Sequence, residues 1–581
     1  MAEKGEGRSE KKMGTYSSPI AFAYIFNLIV GAGVLALPQA FNKAGLALGT
    51  ILLLILCAMS YISASYVIEC MAAANAYERM SKRRERVKDM TAQSRKPLNY
   101  SLKRRSPSLS KDNGDSLSHS STEESVSTIP PYCVDVSGVY DPDKKEEQVN
   151  ITEVTPLMQP SSDSEILHLA PIDEDFEIDT KYELGSMATL FYPKVGVALY
   201  YLCICLYLCG DLSVYAVIAP ASVTRVVCDM YSHYHNTSNG TRDYETENGT
   251  DAYSDTYSDA CFPGLNKIEI YYIFLLVFIL CIGPFTFFNM SKTKLMQITT
   301  TILRYLAFML MISLAFVRIG QGHHSSPKTA DFKVLPNLFG VSVYSFMCHH
   351  SLPGMVTPMS SKKYIYRILF SDFTIILVFY YLLVFSGVFA FRPEDMKPLY
   401  SLDFFNPGDP YWKLVFGIYL ALFPVFTLSA SFPIISVTLR ENLKCLMKLL
   451  LSEPQIRGLL GKEPLEADKS IKFPFVIDRF LFPVLALTPP IVIAYATQQI
   501  DILVSITGSF PGVGVQYVIP ATLVLFAHYK FKKSFGKYKN PYSTPLSHVV
   551  FMVIVLGWAG ISVVMMVLDL ALFPPKTSEP F

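Results

Sequence analysis

The first apolar run of the chain, residues 18–41, is long enough to cross a bilayer, yet Asn27, Ile29, Val30, Gly31, Ala32 and Gly33 place an amide and a Gly-Ala-Gly triplet at its centre. Glycine is a poor helix former, and each unpaired backbone group in hydrocarbon costs several kcal/mol, so a break here is tolerated only where it lines a protected polar cavity. A ligand could occupy such a cavity. Equally, a glycine triplet serves as a thin point where two membrane helices pack closely. A second interruption bears on the choice: Ser342, Tyr344, Ser345, Phe346, Cys348, His349 and His350 fill an apolar run that then meets Pro353 and Gly354. Two interrupted segments in corresponding halves point to a transporter built from inverted repeats, with its substrate near the bilayer midplane.

Ionisable groups at membrane depth cost a few kcal/mol each unless paired or wetted. Asp211, within Leu-Cys-Gly-Asp-Leu-Ser-Val-Tyr, lies well inside an apolar run and is the first candidate for a proton-carrying or polar network residue. The competing reading is structural pairing. His349 and His350 titrate near neutral pH and suit acid sensing, while paired histidines at a helix break also serve as satisfied structural donors. Asp372, Asp478, Arg479 and Asp501 fall near span ends and read as interfacial charge. No Walker, Gly-x-Ser-x-Gly or His-Glu-x-x-His pattern occurs, and no spacing suggests a metal site, so an enzyme is not expected.

These residues need elements to hold them. With 581 residues, 51% of them hydrophobic, 17% charged and a mean hydropathy of +0.31, the chain is a polytopic membrane protein, all-α in its spanning part. Apolar runs give about eleven spans, near 18–41, 46–74, 194–220, 268–289, 295–319, 335–358, 365–391, 411–437, 475–497, 501–528 and 547–573. Residues 1–17 are polar, and the full-length first run lacks a small-residue cleavage site, so no signal peptide is expected. Lys and Arg crowd alternate connections: Arg79, Lys82, Arg83, Arg84 and Arg86 after span two, Lys362, Lys363 and Arg367 after span six, Lys530, Lys532, Lys533 and Lys537 after span ten. Those sides are expected to be cytosolic, together with the N-terminus; an odd number of spans leaves the tail 574–581 luminal.

The loop 222–267 is then luminal, and it carries sequons at Asn236, Asn239 and Asn248. Asn150 and Asn289 also match the pattern but fall on the cytosolic side and are expected to stay unmodified. Cys228 and Cys261 bracket the luminal loop, where the compartment is oxidising, and a disulfide between them is expected. The other cysteines in apolar runs, such as Cys57, Cys203, Cys205, Cys209 and Cys281, read as small hydrophobes.

Spans one and two occupy 18–77 and the remaining spans 185–573; the cytosolic segment 78–184 between them turns from basic to Ser-rich to acidic, the acid being Asp173, Glu174, Asp175, Glu177 and Asp179. With few apolar residues it is expected to be disordered and open to phosphorylation. Glu153 to Met158 has the form of an acidic dileucine-type sorting signal and Tyr77 to Met80 that of a tyrosine-based one, which points to sorting adaptors and to endosomal or lysosomal membrane, with the plasma membrane as the alternative. Lys181 to Tyr192, with Met187, Leu190 and Phe191 on one face, reads as a short amphipathic helix.

Several pieces carry a family resemblance: Phe26 to Gly31, Met71 to Ala76, Gly283 to Phe288, Tyr344 to Cys348, the Phe346-x-x-His349-x-x-Leu352-Pro353 end of span six, Pro433 to Arg440, and Gln516 to Pro520. In these the chain resembles the amino acid/auxin permease family, over every span and not over the polar loop. The resemblance implies a LeuT-type fold of two inverted five-helix repeats plus an eleventh helix, and symport of amino acids with Na+ or H+. It also implies roles. Half-helix ends at Gly31 and Gly33 would face a substrate carboxylate, and carbonyls around Ile29 and Val30 a cation or amine, with Ser342, Tyr344, Ser345 and Phe346 opposite. Thr427, Ser429 and Ser431 of span eight offer hydroxyls for a coupling ion, or simply bond back to their own helix. The expected partners are a small amino-acid-like substrate, the bilayer and sorting adaptors, with no nucleic acid and no cofactor. A non-transporting amino acid sensor on the same fold is the alternative function.

Overall fold

The computed structural model describes residues 16–94, 171–238, 260–288, 294–322, 325–452, 473–536 and 538–572. In chain order the helices are α1 (Ser18–Ile29), α2 (Leu37–Ala44), α3 (Leu46–Ser94), α4 (Leu184–Phe191), α5 (Lys194–Ser238), α6 (Lys267–Ile282), α7 (Lys294–Gly320), α8 (Leu335–Ser345), α9 (Leu352–Val356), α10 (Ile365–Ala390), α11 (Tyr411–Ser452), α12 (Phe482–Ala496), α13 (Ile500–Thr507), α14 (Ile519–Phe535) and α15 (Val549–Leu572). A small hairpin pairs β1 (Ala260–Phe262) with β2 (Leu265–Asn266). Among the described residues nine helices are long and apolar enough to cross a membrane, α13 and α14 forming one of them through two π-helical turns. Two further apolar segments, α1–α2 and α8–α9, are each interrupted.

The helices are two-faced in the way a bilayer requires. On α5, Leu199, Leu202 and Leu206 are exposed, one or two turns apart, while Tyr200, Tyr207, Leu208 and Asp211 are buried. Apolar side chains thus face outward where lipid would be, and polar ones are turned inward. α11 lies along α5, α14 along α3, and α10 packs on both α1 and α2.

Cys228 of α5 is bonded to Cys261 of β1, with their Cα atoms 5.0 Å apart, as expected for the loop they bracket. Asn236 lies in the last turn of α5; Asn239 and Asn248, the sequons at Asn150 and Asn289, and Glu153 to Met158 lie outside the described residues.

At the other end of α3 the fold differs from expectation. Instead of ending near residue 77, α3 continues to Ser94, and residues 171–183 fold back on it. Arg79 donates to the carbonyls of Glu174 (2.6 Å) and Asp175 (3.0 Å) and pairs with Asp179 (2.8 Å), while Arg83 pairs with Asp175 (2.5 Å). Asn75 completes the clasp through both its amide atoms, to Thr180 O (3.2 Å) and from Thr180 N (3.0 Å). Phe176 is fully buried and stacks on Phe531 and Tyr538. Lys362 sits beside this strap, where burial lowers its pKa against the pull of Asp179 and Glu177. Few apolar residues argued for disorder across 78–184, but two of them, Phe176 and Ile178, suffice to anchor the strap once arginines neutralise the acids around them. Tyr77 is wedged against Phe191, Phe531 and Phe535 and Met80 is buried, so this tetrapeptide is helix packing and not an extended adaptor signal. α4 is shorter than expected and buried nearly all round, through Leu184, Met187, Ala188 and Phe191.

Candidate functional site: two facing helix breaks

α1 ends on a last helical bond from Val30 N to Phe26 O (3.0 Å). The next amide, Gly31 N, does not reach Asn27 O four residues back; it turns to Ile29 O (2.9 Å), with Val30 at φ −76°, ψ 82°. This is an inverse γ-turn, and it leaves Asn27 O without its helical donor. A short 3-10 turn, Ala32–Leu35, follows, and Pro38 in the first turn of α2 restarts a regular helix where its missing N–H is harmless.

The second break spans residues 346–351. α8 tightens at its end, with Phe346 N to Val343 O (3.2 Å) and Met347 N to Tyr344 O (3.3 Å), and α9 opens with Pro353 in its first turn. α8 packs against both the 32–35 turn and α2, so the interruptions face each other. The closest approach is at Gly33, where a Cβ would lie 2.7 Å from Tyr344 Cδ1 and 3.0 Å from Ser345 Cα. At Gly31 a Cβ would meet nothing nearer than 3.9 Å. The two glycines therefore divide the two readings of the triplet: Gly33 is the thin point, and Gly31 sits in the open turn.

Two residues that sequence reasoning passed over serve the breaks, one joining both and the other held at the first. Tyr380 of α10 is fully buried; its hydroxyl donates to Ser345 O (2.7 Å) and lies 3.3 Å from Ile29 O. One hydroxyl thus contacts a backbone carbonyl of each break, Ser345 O and the γ-turn acceptor Ile29 O. Arg304 of α7 donates to Val30 O (2.8 Å) and Asn27 O (3.1 Å), with Asn27 Oδ1 at 3.4 Å. The signal for Arg304 was a single arginine in the middle of an apolar run. Tyr380 gave none, being one of 35 tyrosines in an aromatic-rich chain.

Asp211 and Tyr344 meet directly: the phenol of the broken segment donates to Asp211 Oδ1 within the core. Ser342 is buried, and its hydroxyl is bonded to nothing among the described residues. Ser345 Oγ donates back to Val341 O (2.8 Å), and the Phe346 ring is buried against Tyr380. Ala32 is buried in the turn. His349 is fully buried and held through Nε2 by Ser63 Oγ (2.8 Å) and Ser60 O (3.2 Å), in a cluster that Gln516 and Tyr517 extend. That is the environment of a satisfied structural donor. His350 packs on Tyr207.

On α11, Thr427 donates to Phe423 O (3.1 Å) and Ser431 to Thr427 O (3.1 Å), so both hydroxyl hydrogens return to the helix; Ser429 is half-buried. Asp478 pairs with Lys444, Arg479 covers the Phe288 ring and Asp501 pairs with Lys43, as suits charges near span ends. Asp372 is the exception. It is fully buried on α10, with neither carboxylate oxygen bonded to a described residue, which corrects its reading as an interfacial charge: α10 begins at Ile365, at the start of the apolar run, so Asp372 stands about two turns inside it on the face turned into the core.

A helical membrane bundle with two facing breaks is the architecture of a polytopic membrane protein that keeps exposed backbone inside protein, away from lipid. Residues 14–95 and 179–567 match the family described as transmembrane amino acid transporter protein, and the chain belongs to that family. Both breaks fall inside the matched residues; most of the polar loop does not. The chain is similar to Transmembrane protein 104 of Homo sapiens, 37% identical over 546 residues covering 94% of each chain. It is also similar to the homologues of that protein in Drosophila melanogaster (34% over 567 residues, 96% and 97% of the two chains) and Dictyostelium discoideum (30% over 565 residues, 93% and 94%).

Proposed function

We propose that the chain is a secondary active transporter of a small amino-acid-like substrate, coupled to an ion gradient and working by alternating access around the breaks at 27–35 and 346–351. The observation that carries this reading is that both interruptions lie opposite one another, with Gly33 pressed on Tyr344 and Ser345. The family's description as amino acid transporters supports the substrate class. In this reading the nine continuous helices and two broken segments form two inverted five-helix repeats and an eleventh helix. The substrate is taken up between Val30 to Gly33 and Ser342 to Phe346 when the cycle parts Gly33 from Tyr344 and Ser345, with the Ser342 hydroxyl toward it. Asp211, bonded to Tyr344 of the moving segment, is the candidate proton carrier.

Uptake of labelled amino acids into proteoliposomes, driven by a pH or Na+ gradient, tests the function. Gly33→Leu is the control that should abolish it. Saturable binding without flux under every gradient would favour a sensor and end the transport reading. The N-terminus is assigned to the cytosol and Asn236, Asn239 and Asn248 to the lumen, within an endosomal, lysosomal or plasma membrane. A mobility shift on enzymatic deglycosylation, lost when these three asparagines are replaced, tests the orientation.

A further inference from the structure

Arg304 stands ten residues into α7, between Leu303 and Tyr305, inside an apolar spanning helix where hydrocarbon strongly disfavours an unpaired arginine. Among the described residues no carboxylate lies within ion-pair distance of it. Its Nη1 instead donates to oxygens at the first break: Val30 O, Asn27 O and the Asn27 side chain. Asn27 O is free because the Gly31 amide has turned to Ile29. Carbonyl and amide oxygens gathered around a positive charge are the ligand set that a small hard cation such as Na+ takes in proteins. An unwound carbonyl set at a helix break is also where a transporter coordinates its coupling ion.

We propose that Arg304 is a tethered cation that fills the oxygen cluster of the first break, so that no free Na+ binds there. The helix break supplies the acceptors that keep the arginine inside the membrane, and the arginine supplies the charge that keeps the break open. A guanidinium stays protonated at all physiological pH values, so this charge is neither released nor exchanged during a cycle. The structural half of the proposal, arginine in place of sodium, stands on this geometry alone; its meaning for coupling rests on the transport reading above.

The test is thermal unfolding of the purified full chain at matched ionic strength in NaCl and choline chloride. The wild type should show the same Tm in both. Arg304→Ser should lose several degrees and regain most of them with millimolar methylguanidinium or with Na+, but not with choline. Arg304→Lys, which keeps a tethered charge, should remain indifferent to Na+ and carries the test with the wild type if the serine variant is not recovered folded. A saturable, Na+-specific rise in the wild-type or lysine Tm would overturn the proposal. So would an Arg304→Ser variant that loses no stability, or one that no cation restores, since the side chain would then act only by packing. Absence of flux in proteoliposomes would remove the transport reading and leave these measurements unaffected.

Discussion

The two breaks solve one problem by different means. In the first, the released carbonyls of Asn27 and Val30 point at a charge brought in from α7, and the backbone itself supplies the polarity. In the second, the backbone mostly repairs itself through tight bonds at 346, 347 and 351, and the side chains carry the polarity: Tyr344 to Asp211, and His349 to Ser63. Tyr380 stands between them. A helix can thus be opened inside a membrane either by importing a donor or by turning its own donors inward. The first route leaves backbone oxygens held by a fixed charge. The second leaves a segment whose polarity lies in its side chains.

Substitutions at the contact between the breaks separate these routes. The largest effect is expected from Gly33→Leu, whose side chain must displace the Ser345 backbone; overpacking of this kind costs about 1–3 kcal/mol or more, visible as a large fall in Tm together with loss of any uptake. Tyr344→Phe removes the donor to Asp211 and should cost roughly 1.5–3 kcal/mol if the carboxylate is charged. Adding Asp211→Asn should recover part of that loss, and strictly additive losses in a double-mutant cycle would show that the pair is not coupled. Tyr380→Phe leaves Ser345 O short of a donor and should cost about 1 kcal/mol, measured by chemical unfolding in detergent. Gly31→Ala should change stability by no more than about 0.5 kcal/mol, because its Cβ has room. A Gly31→Ala loss as large as that of Gly33→Leu would mean that the open turn and the thin point are not distinct.

Much of this arrangement was legible because membrane physics writes directly into composition. Runs of apolar residues gave the helices, and Gly31, Gly33 and Pro353 marked the two places where helices stop. Asp211 stood out as a lone acid in such a run, and Cys228 and Cys261 as the pair around a polar loop. What eluded the sequence depends on partners far away along the chain. The segment 171–183 looked unstructured because its acids outnumber its apolar residues, and only the position of Arg79 and Arg83 one turn apart on α3 makes it fold. Asp372 looked interfacial because its burial is decided by how α10 rotates.

The amino-acid sequence by itself determined that this chain enters the membrane many times and interrupts itself twice, since hydrocarbon accepts only apolar surface and satisfied backbone. Tertiary structure alone decided that the interruptions meet, that Gly33 and not Gly31 is the point of contact, and that Arg304 and Tyr380 serve the backbone carbonyls of the breaks. Those choices arise from contacts across hundreds of residues, where the identity of a side chain says what it can bond and only packing says what it does bond.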